Sequence, residues 1–147
     1  MSQAQSAILP EAGPFALYTQ LKVTKQAPEV LAQLQSLPKL VSELNDAQPG
    51  AELTVSVAFS KQFWNTFAQT APAELIDFPE LGDGEIHAPS SNVDVLIHCH
   101  SNRHDLHFYV LRKLLAEVSD SVEIVDETYG YRYLDSRDMT DFVDGTE

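Results

Sequence analysis

The chain has 147 residues, 44% hydrophobic and 9% aromatic, enough to enclose one ordinary core, so a single domain is expected. Nine Lys and Arg against 22 Asp and Glu leave a net charge of -13, a field that repels phosphate backbones and anionic bilayers and excludes nucleic acid and acidic lipid as partners. Cys99 stands alone, excluding an internal disulfide or a C-x-x-C pair, and with no export signal or run of ~20 apolar residues a soluble, cytoplasmic protein is expected.

Residues 1–14, polar and small with Pro10, Gly13 and Pro14, suit an N-terminal arm. Residues 15–23 alternate, with Phe15, Leu17, Leu21 and Val23 on one face and Gln20 and Lys22 on the other, which predicts a first strand. From 27 to 44 the period becomes helical through Val30, Leu31, Leu34, Leu37, Leu40, Val41 and Leu44. Pro28 suits the first turn of that helix, and Pro38 is predicted to kink or divide it. A turn over 45–50 leads to a second strand over 52–59, with Leu53, Val55, Val57 and Phe59 on one face. A short helix is predicted over 61–69, followed over 70–92 by a long ordered connection rich in proline and glycine. A third strand over 93–100, a helix over 103–118 with Leu106, Val110, Leu111, Leu114 and Leu115 inward, and a fourth strand over 122–133 complete the pattern.

The order β-α-β-β-α-β predicts an α+β fold, a ferredoxin-like split βαβ domain of the dimeric α+β barrel type, its antiparallel sheet carrying helices on one face. The other sheet face is expected to present Tyr18, Leu96, Val125, Tyr129, Tyr131 and Tyr133, an apolar surface that calls for pairing with a second domain or a second chain.

After the fourth strand comes Arg137-Asp138-Met139-Thr140-Asp141-Phe142-Val143-Asp144-Gly145-Thr146-Glu147. Gly145 lets the backbone approach a planar ligand closely or take positive φ, while Phe142 and Val143 can pack and fix where the Asp144 carboxylate points. Taken alone, Asp-Gly reads first as a common turn dipeptide. The whole run resembles the distal haem motif of dye-decolourising (DyP-type) peroxidases, whose short form is G-x-x-D-G. Similar to that family as well are Ile8-Leu9-Pro10, the strand 15–23, Ala88-Pro89-Ser90-Ser91, and the strand Asp94-Val95-Leu96-Ile97-His98 leading to Arg103-His104-Asp105. The likeness thus spans nearly the whole chain. Asp141 stands where the short motif has its first glycine, and Asp is a residue that enters left-handed conformations at modest cost.

The resemblance implies one ferredoxin-like domain over 1–147, with the distal-haem motif loop over 137–147 cut short. It implies a second such domain C-terminal to the motif that supplies the proximal histidine and a distal arginine, so no metal ligand is expected in this chain. It further implies haem b as cofactor, Asp144 as the catalytic residue, and Asp144, Gly145, Thr146 and Glu147 at the haem's distal face. Hydrogen peroxide would be reduced, with dyes or other bulky organic molecules as electron donors. An aspartate of pKa about 3.9 stays ionised at acid pH, where a histidine near about 6.5 is protonated, so activity should favour acid pH. Partners would be the C-terminal domain, or a homo-oligomer, through the sheet face. The rival expectations are an inactive fragment without haem and a stand-alone dimeric α+β barrel binding module.

Other clusters have both a sharp and a plain reading. His98 and His100 fall on one strand face and His104 and His107 one helical turn apart, which suggests a two-plus-two metal site. No carboxylate pattern completes such a site, so structural or surface histidines are preferred. Trp64 with Phe63 and Phe67 could form a radical relay or ligand platform, with core packing preferred. Tyr109, Tyr129, Tyr131 and Tyr133 could carry electrons, with packing at the sheet interface preferred. Asp126, Glu127, Asp135, Asp138, Asp141 and Glu147 read as a solvated acidic rim, and Cys99 as a small buried hydrophobe.

Overall fold

The computed structural model describes residues 4–8 and 13–143. A four-stranded antiparallel sheet runs in the order β2-β5-β1-β6, built from β1 (Phe15–Val23), β2 (Thr54–Phe59), β5 (Val95–Ser101) and β6 (Val122–Tyr131). Helices α1 (Ala27–Gln35), α2 (Leu37–Ala47) and α4 (His104–Ala116) cover one face, and α3 (Lys61–Trp64) follows β2. This is the expected α+β arrangement of ferredoxin-like type. Period-two alternation builds the core: Leu17 and Leu21 of β1, with Val95, Ile97 and Cys99 of β5, are buried against Val30 and Leu34 of α1 and Val110 and Leu114 of α4. Each such aliphatic side chain, fully removed from water, contributes about 1.5–3 kcal/mol.

Pro38 divides the helical run, as expected. Ser36 closes α1 in helical conformation with its hydroxyl on the Gln33 carbonyl at 2.6 Å, and α2 begins at Leu37. Proline at the second position of the new helix removes an N–H that would have had no intrahelical acceptor there. The connection over 70–92 is not strand-free: β3 (Leu81–Asp83) and β4 (Ile86–Ala88) form a small hairpin turned at Gly84, whose φ is +62°. Every residue of these strands is exposed, so hydrophobic alternation had no core to report, and the Asp-Gly turn was the only available signal.

The fourth strand differs from expectation in a way that changes the site. Near its C-terminal end β6 pairs with β1 as Phe15↔Tyr131 and Leu17↔Tyr129, and at the other end as Leu21↔Ile124 and Val23↔Val122. A register shift between Gln20 and Leu21 leaves Val125 without a partner. One extra residue inverts the in/out parity of everything beyond it. Tyr129 and Tyr131 therefore lie on the helix side with Leu17 and Phe15, not on the outer face, and Tyr133 lies beyond the strand. Tyr18 and Leu96 do occupy the outer face, together with Ser56, His98, His100 and Thr128. That face is mixed rather than a continuous aromatic surface.

Candidate functional site

Where β6 ends, the Arg132 N–H bonds to the Pro14 carbonyl at 2.7 Å, holding the strand's exit beside the start of β1. A tight turn follows, in which the N–H groups of Ser136 and Arg137 both reach the Tyr133 carbonyl at 3.0 and 3.1 Å. Leu134 and Ser136 take positive φ there, at 46° and 78°. Arg137 organises the rest of the loop. Its guanidinium grips Asp135 at 2.6 and 3.2 Å and donates to the Asp141 carbonyl at 2.9 Å. Its backbone bridges to both Tyr133 and Val143. Because this two-point ion pair favours the charged acid, the Asp135 carboxyl sits below the usual carboxylate range.

Asp138 makes the inner turn. Its carboxylate accepts from the Thr140 N–H and hydroxyl, which likewise lowers its pKa, and its own N–H donates to the Phe142 carbonyl at 3.0 Å. Asp141 N–H reaches back to the Asp138 carbonyl at 3.1 Å, and the Tyr133 hydroxyl donates to the Asp141 carboxylate at 3.3 Å. Asp141 has φ of +70°. The position that holds glycine in the short distal motif thus takes the left-handed conformation glycine is used for, here with an Asp whose side chain is tied to Tyr133. Asp135, Asp138 and Asp141 are thus working parts of the loop and not merely a solvated rim.

The four residues expected at the distal haem face, Asp144, Gly145, Thr146 and Glu147, lie outside the described residues. Description stops at Val143, whose bridge to Arg137 tethers the backbone immediately before Asp144. Phe142, expected to pack as an anchor, is instead 74% exposed, and Met139 is 72% exposed, so the loop's apolar side chains form surface and not core.

The four histidines do not come together. On β5, His98 stacks on Tyr18 with ring centroids 4.1 Å apart and meets His100 at 3.9 Å, on the outer face. His107 belongs to α4, which packs on the opposite, helix side of the sheet. There its Nε2 and the Ser101 Oγ share a hydrogen bond of 2.8 Å. His104, also on α4, meets Tyr129 at 5.0 Å. Burial, with His100 second, lowers His98 to about 4, and burial, with His104 and His100 adding repulsion, lowers His107 to about 4. Both are neutral imidazoles packed as parts of the fold. Among the described residues no group of three or more His, Cys, Asp or Glu side chains could hold a metal ion. Cys99 is buried, and burial pushes its thiol up to about 12, as befits a small hydrophobe.

A family model described as Dyp-type peroxidase, N-terminal, matches residues 5–132. The chain belongs to the Dyp-type peroxidase family. It is 67% identical to a dye-decolorizing protein from V. cholerae, a solved structure that superposes with a TM-score of 0.93 over 97% of this chain and 48% of that one. A DypB variant from Rhodococcus jostii, solved in complex with heme, is 30% identical with a TM-score of 0.81, covering 98% of this chain and 48% of that one. A dye-decolorizing peroxidase from Mycobacterium tuberculosis is 35% identical over 115 residues, 78% of this chain and 34% of that relative. This Dyp-type chain therefore spans less than half the length of each of these proteins. The matched range stops at the residue where the loop after β6 begins.

Among the described residues no helix is long and apolar enough to cross a membrane. The parity inversion in β6 is not visible in the alternation of its residues. Its only local trace is that Ile124 and Val125 are adjacent apolar residues, whereas a strand solvated on one face would alternate.

Proposed function

We propose that this chain is the N-terminal domain of a haem-dependent peroxidase that reduces hydrogen peroxide and oxidises dyes or other bulky organic donors, with Asp144 as its catalytic residue. The observation that carries the proposal is Asp141 in left-handed conformation at the motif's glycine position, within a loop whose last described residue is bridged to Arg137. The described part of the loop fits a haem. Met139 and Phe142 leave apolar surface that a planar macrocycle would cover, while Asp135 and Asp138 have their charges satisfied inside the loop.

Asp144, Gly145, Thr146 and Glu147 would hold the distal face, and haem b, when bound, supplies the redox chemistry, as the heme complex of the DypB variant supports. The Arg137 clamp orients the chain before Asp144, and Gly145 permits close backbone approach. The Asp144 carboxylate takes a proton from hydrogen peroxide and returns it to the departing oxygen, which leaves as water. An aspartate performs this at acid pH, where a histidine would be protonated.

The outer sheet face is part of the same proposal. Tyr18 stays partly exposed there beside the half-buried Leu96, apolar surface that a second ferredoxin-like domain or a second copy laid on this face would cover. A cytoplasmic location is also proposed, supported by a lone, buried, unreactive thiol.

The test is an absorption spectrum with peroxide-dependent dye oxidation on the complete protein. A haem absorption band with turnover that Asp144→Asn largely abolishes is the expected result. A protein that neither takes up haem nor consumes peroxide would leave a paired-sheet binding module as the better account.

A further inference from the structure

A cleft of about 730 Å³ opens between α1, α2, the free edge of β2 and the chain after α3, roofed by residues 4–6 of the N-terminal arm. We propose that it is a binding site for an uncharged aromatic small molecule, separate from the distal loop. A cleft of this size falls in the range of ligand sites, about 300–1,000 Å³. Its walls are apolar: Leu31 and Val41 from the helices, Val57 and Phe59 from β2, Trp64 at the end of α3 and Phe67 beyond it. In a chain of net charge -13, no charged side chain lines it among the described residues. A charged ligand would lose its hydration there with no compensating partner, whereas an apolar one gains burial.

The wall is shaped for rings. Phe59, Trp64 and Phe67 stand at centroid separations of 5.4 to 6.4 Å in tilted and edge-on arrangements, the geometry aromatic groups adopt with each other. The Trp64 indole is steered by its N–H on the Thr70 carbonyl at 3.2 Å. Phe63, next to it in sequence, is buried in the core, and Phe59, Trp64 and Phe67 are the aromatic residues that face the cleft.

The roof is held by one side chain. Gln5 Nε2 donates to the Val57 carbonyl at 2.9 Å and Gln5 Oε1 accepts from the Val57 N–H at 2.8 Å, so a side-chain amide takes the place of a neighbouring strand. Such a latch closes the cleft yet releases with the loss of two exposed hydrogen bonds. Ser6 and Gln35 add uncharged polar groups to the lining, which can orient a single hydroxyl or amine on the ligand.

Equilibrium dialysis of the complete protein against N-phenylnaphthylamine, an uncharged two-ring-system probe, and against its sulfonated counterpart, anilinonaphthalene sulfonate, tests the site. The expected result is one equivalent of the neutral probe bound, with the sulfonate roughly tenfold weaker or worse. Val41→Trp, which fills the cleft, and Phe67→Ala, which removes wall that packs edge-on against Phe63, should each weaken the neutral probe roughly tenfold, with a cooperative thermal melt showing that the variant is folded. Should Val41→Trp fail to fold, Phe67→Ala decides. No saturable uptake, equal binding of the two probes, or affinity unchanged in Phe67→Ala overturns the proposal, the first of these meaning that a chain segment or a second protein fills the cleft. None of these outcomes depends on haem uptake or peroxide turnover.

Discussion

The two edges of the sheet are protected in different ways. β2 is short, six residues, and its open hydrogen bonds at Val57 are taken by the Gln5 side chain. β6 is longer, ten residues, and is bulged at Val125, carries Glu123, Asp126 and Glu127, and runs on into the Arg137 loop. An unprotected edge invites pairing with another chain, and covering, bulging and charging are the usual remedies. At each edge the device that protects the strand also shapes a local feature: a roofed apolar cleft at β2 and a turned, clamped loop at β6. The two central strands, buried on the helix side, carry the stability that both edges depend on.

The comparison is broken most strongly at the β6 end. Asp144→Asn in the complete protein should lower peroxide turnover by about a hundredfold to ten-thousandfold, the range for loss of a positioned acid/base, while the haem absorption band persists. Turnover within a few fold of the parent would remove Asp144 from the mechanism. The centre should respond in stability rather than activity: Ile97, fully buried in β5, should cost about 2–5 kcal/mol on replacement by Ala, read as a lower urea midpoint. A loss well under 1 kcal/mol would mean that the central strands do not carry the fold.

A smaller effect comes from the histidines flanking the sheet. His98 and His107 have folded-state pKa values near 4, below the unfolded value of 6.5, so the unfolded chain binds their protons first as pH falls. Stability from these groups is intact above pH 6.5 and is lost progressively towards pH 4. His107→Leu should flatten the fall in urea midpoint over that window, and an unchanged slope would place the acid sensitivity elsewhere. Acid loss of stability thus opposes the acid optimum expected of the Asp144 chemistry, so turnover should peak above the pH at which the fold gives way.

At the β2 edge, Gln5→Ala should cost about 0.5–1.5 kcal/mol and speed hydrogen exchange of the Val57 amide while leaving the β6 amides unchanged. The smallest effect belongs to Asp141→Gly. Glycine relieves the positive φ but gives up the Tyr133 contact and adds freedom to the unfolded chain, so a change under about 1 kcal/mol is expected in thermal melts. A change of several kcal/mol would mean that the Tyr133 contact holds the loop far more firmly than its 3.3 Å geometry implies.

Much of this was legible beforehand. Strand β1 runs over 15–23 as its alternation required, Pro38 divides the helix, and the family is legible through the resemblance carried by residues along the chain. What escaped were features whose cause is a partner far along the chain. The hairpin at 81–88 buries nothing, and Gln5's role appears only when β2 lies 52 residues away from it in sequence yet within hydrogen-bond reach. The four histidines show the same limit, since spacing placed each pair correctly but only the sheet separates His98 from His107.

The order of strands and helices and the inward aliphatic faces follow from sequence alone, because periodicity and proline geometry act between near neighbours. Which face the β6 tyrosines take, which edge the arm covers and where a cleft remains were decided by tertiary structure. Strand register, with its one-residue bulge, is set by pairing with β1, and a one-residue change there turns every later side chain to the other side of the sheet.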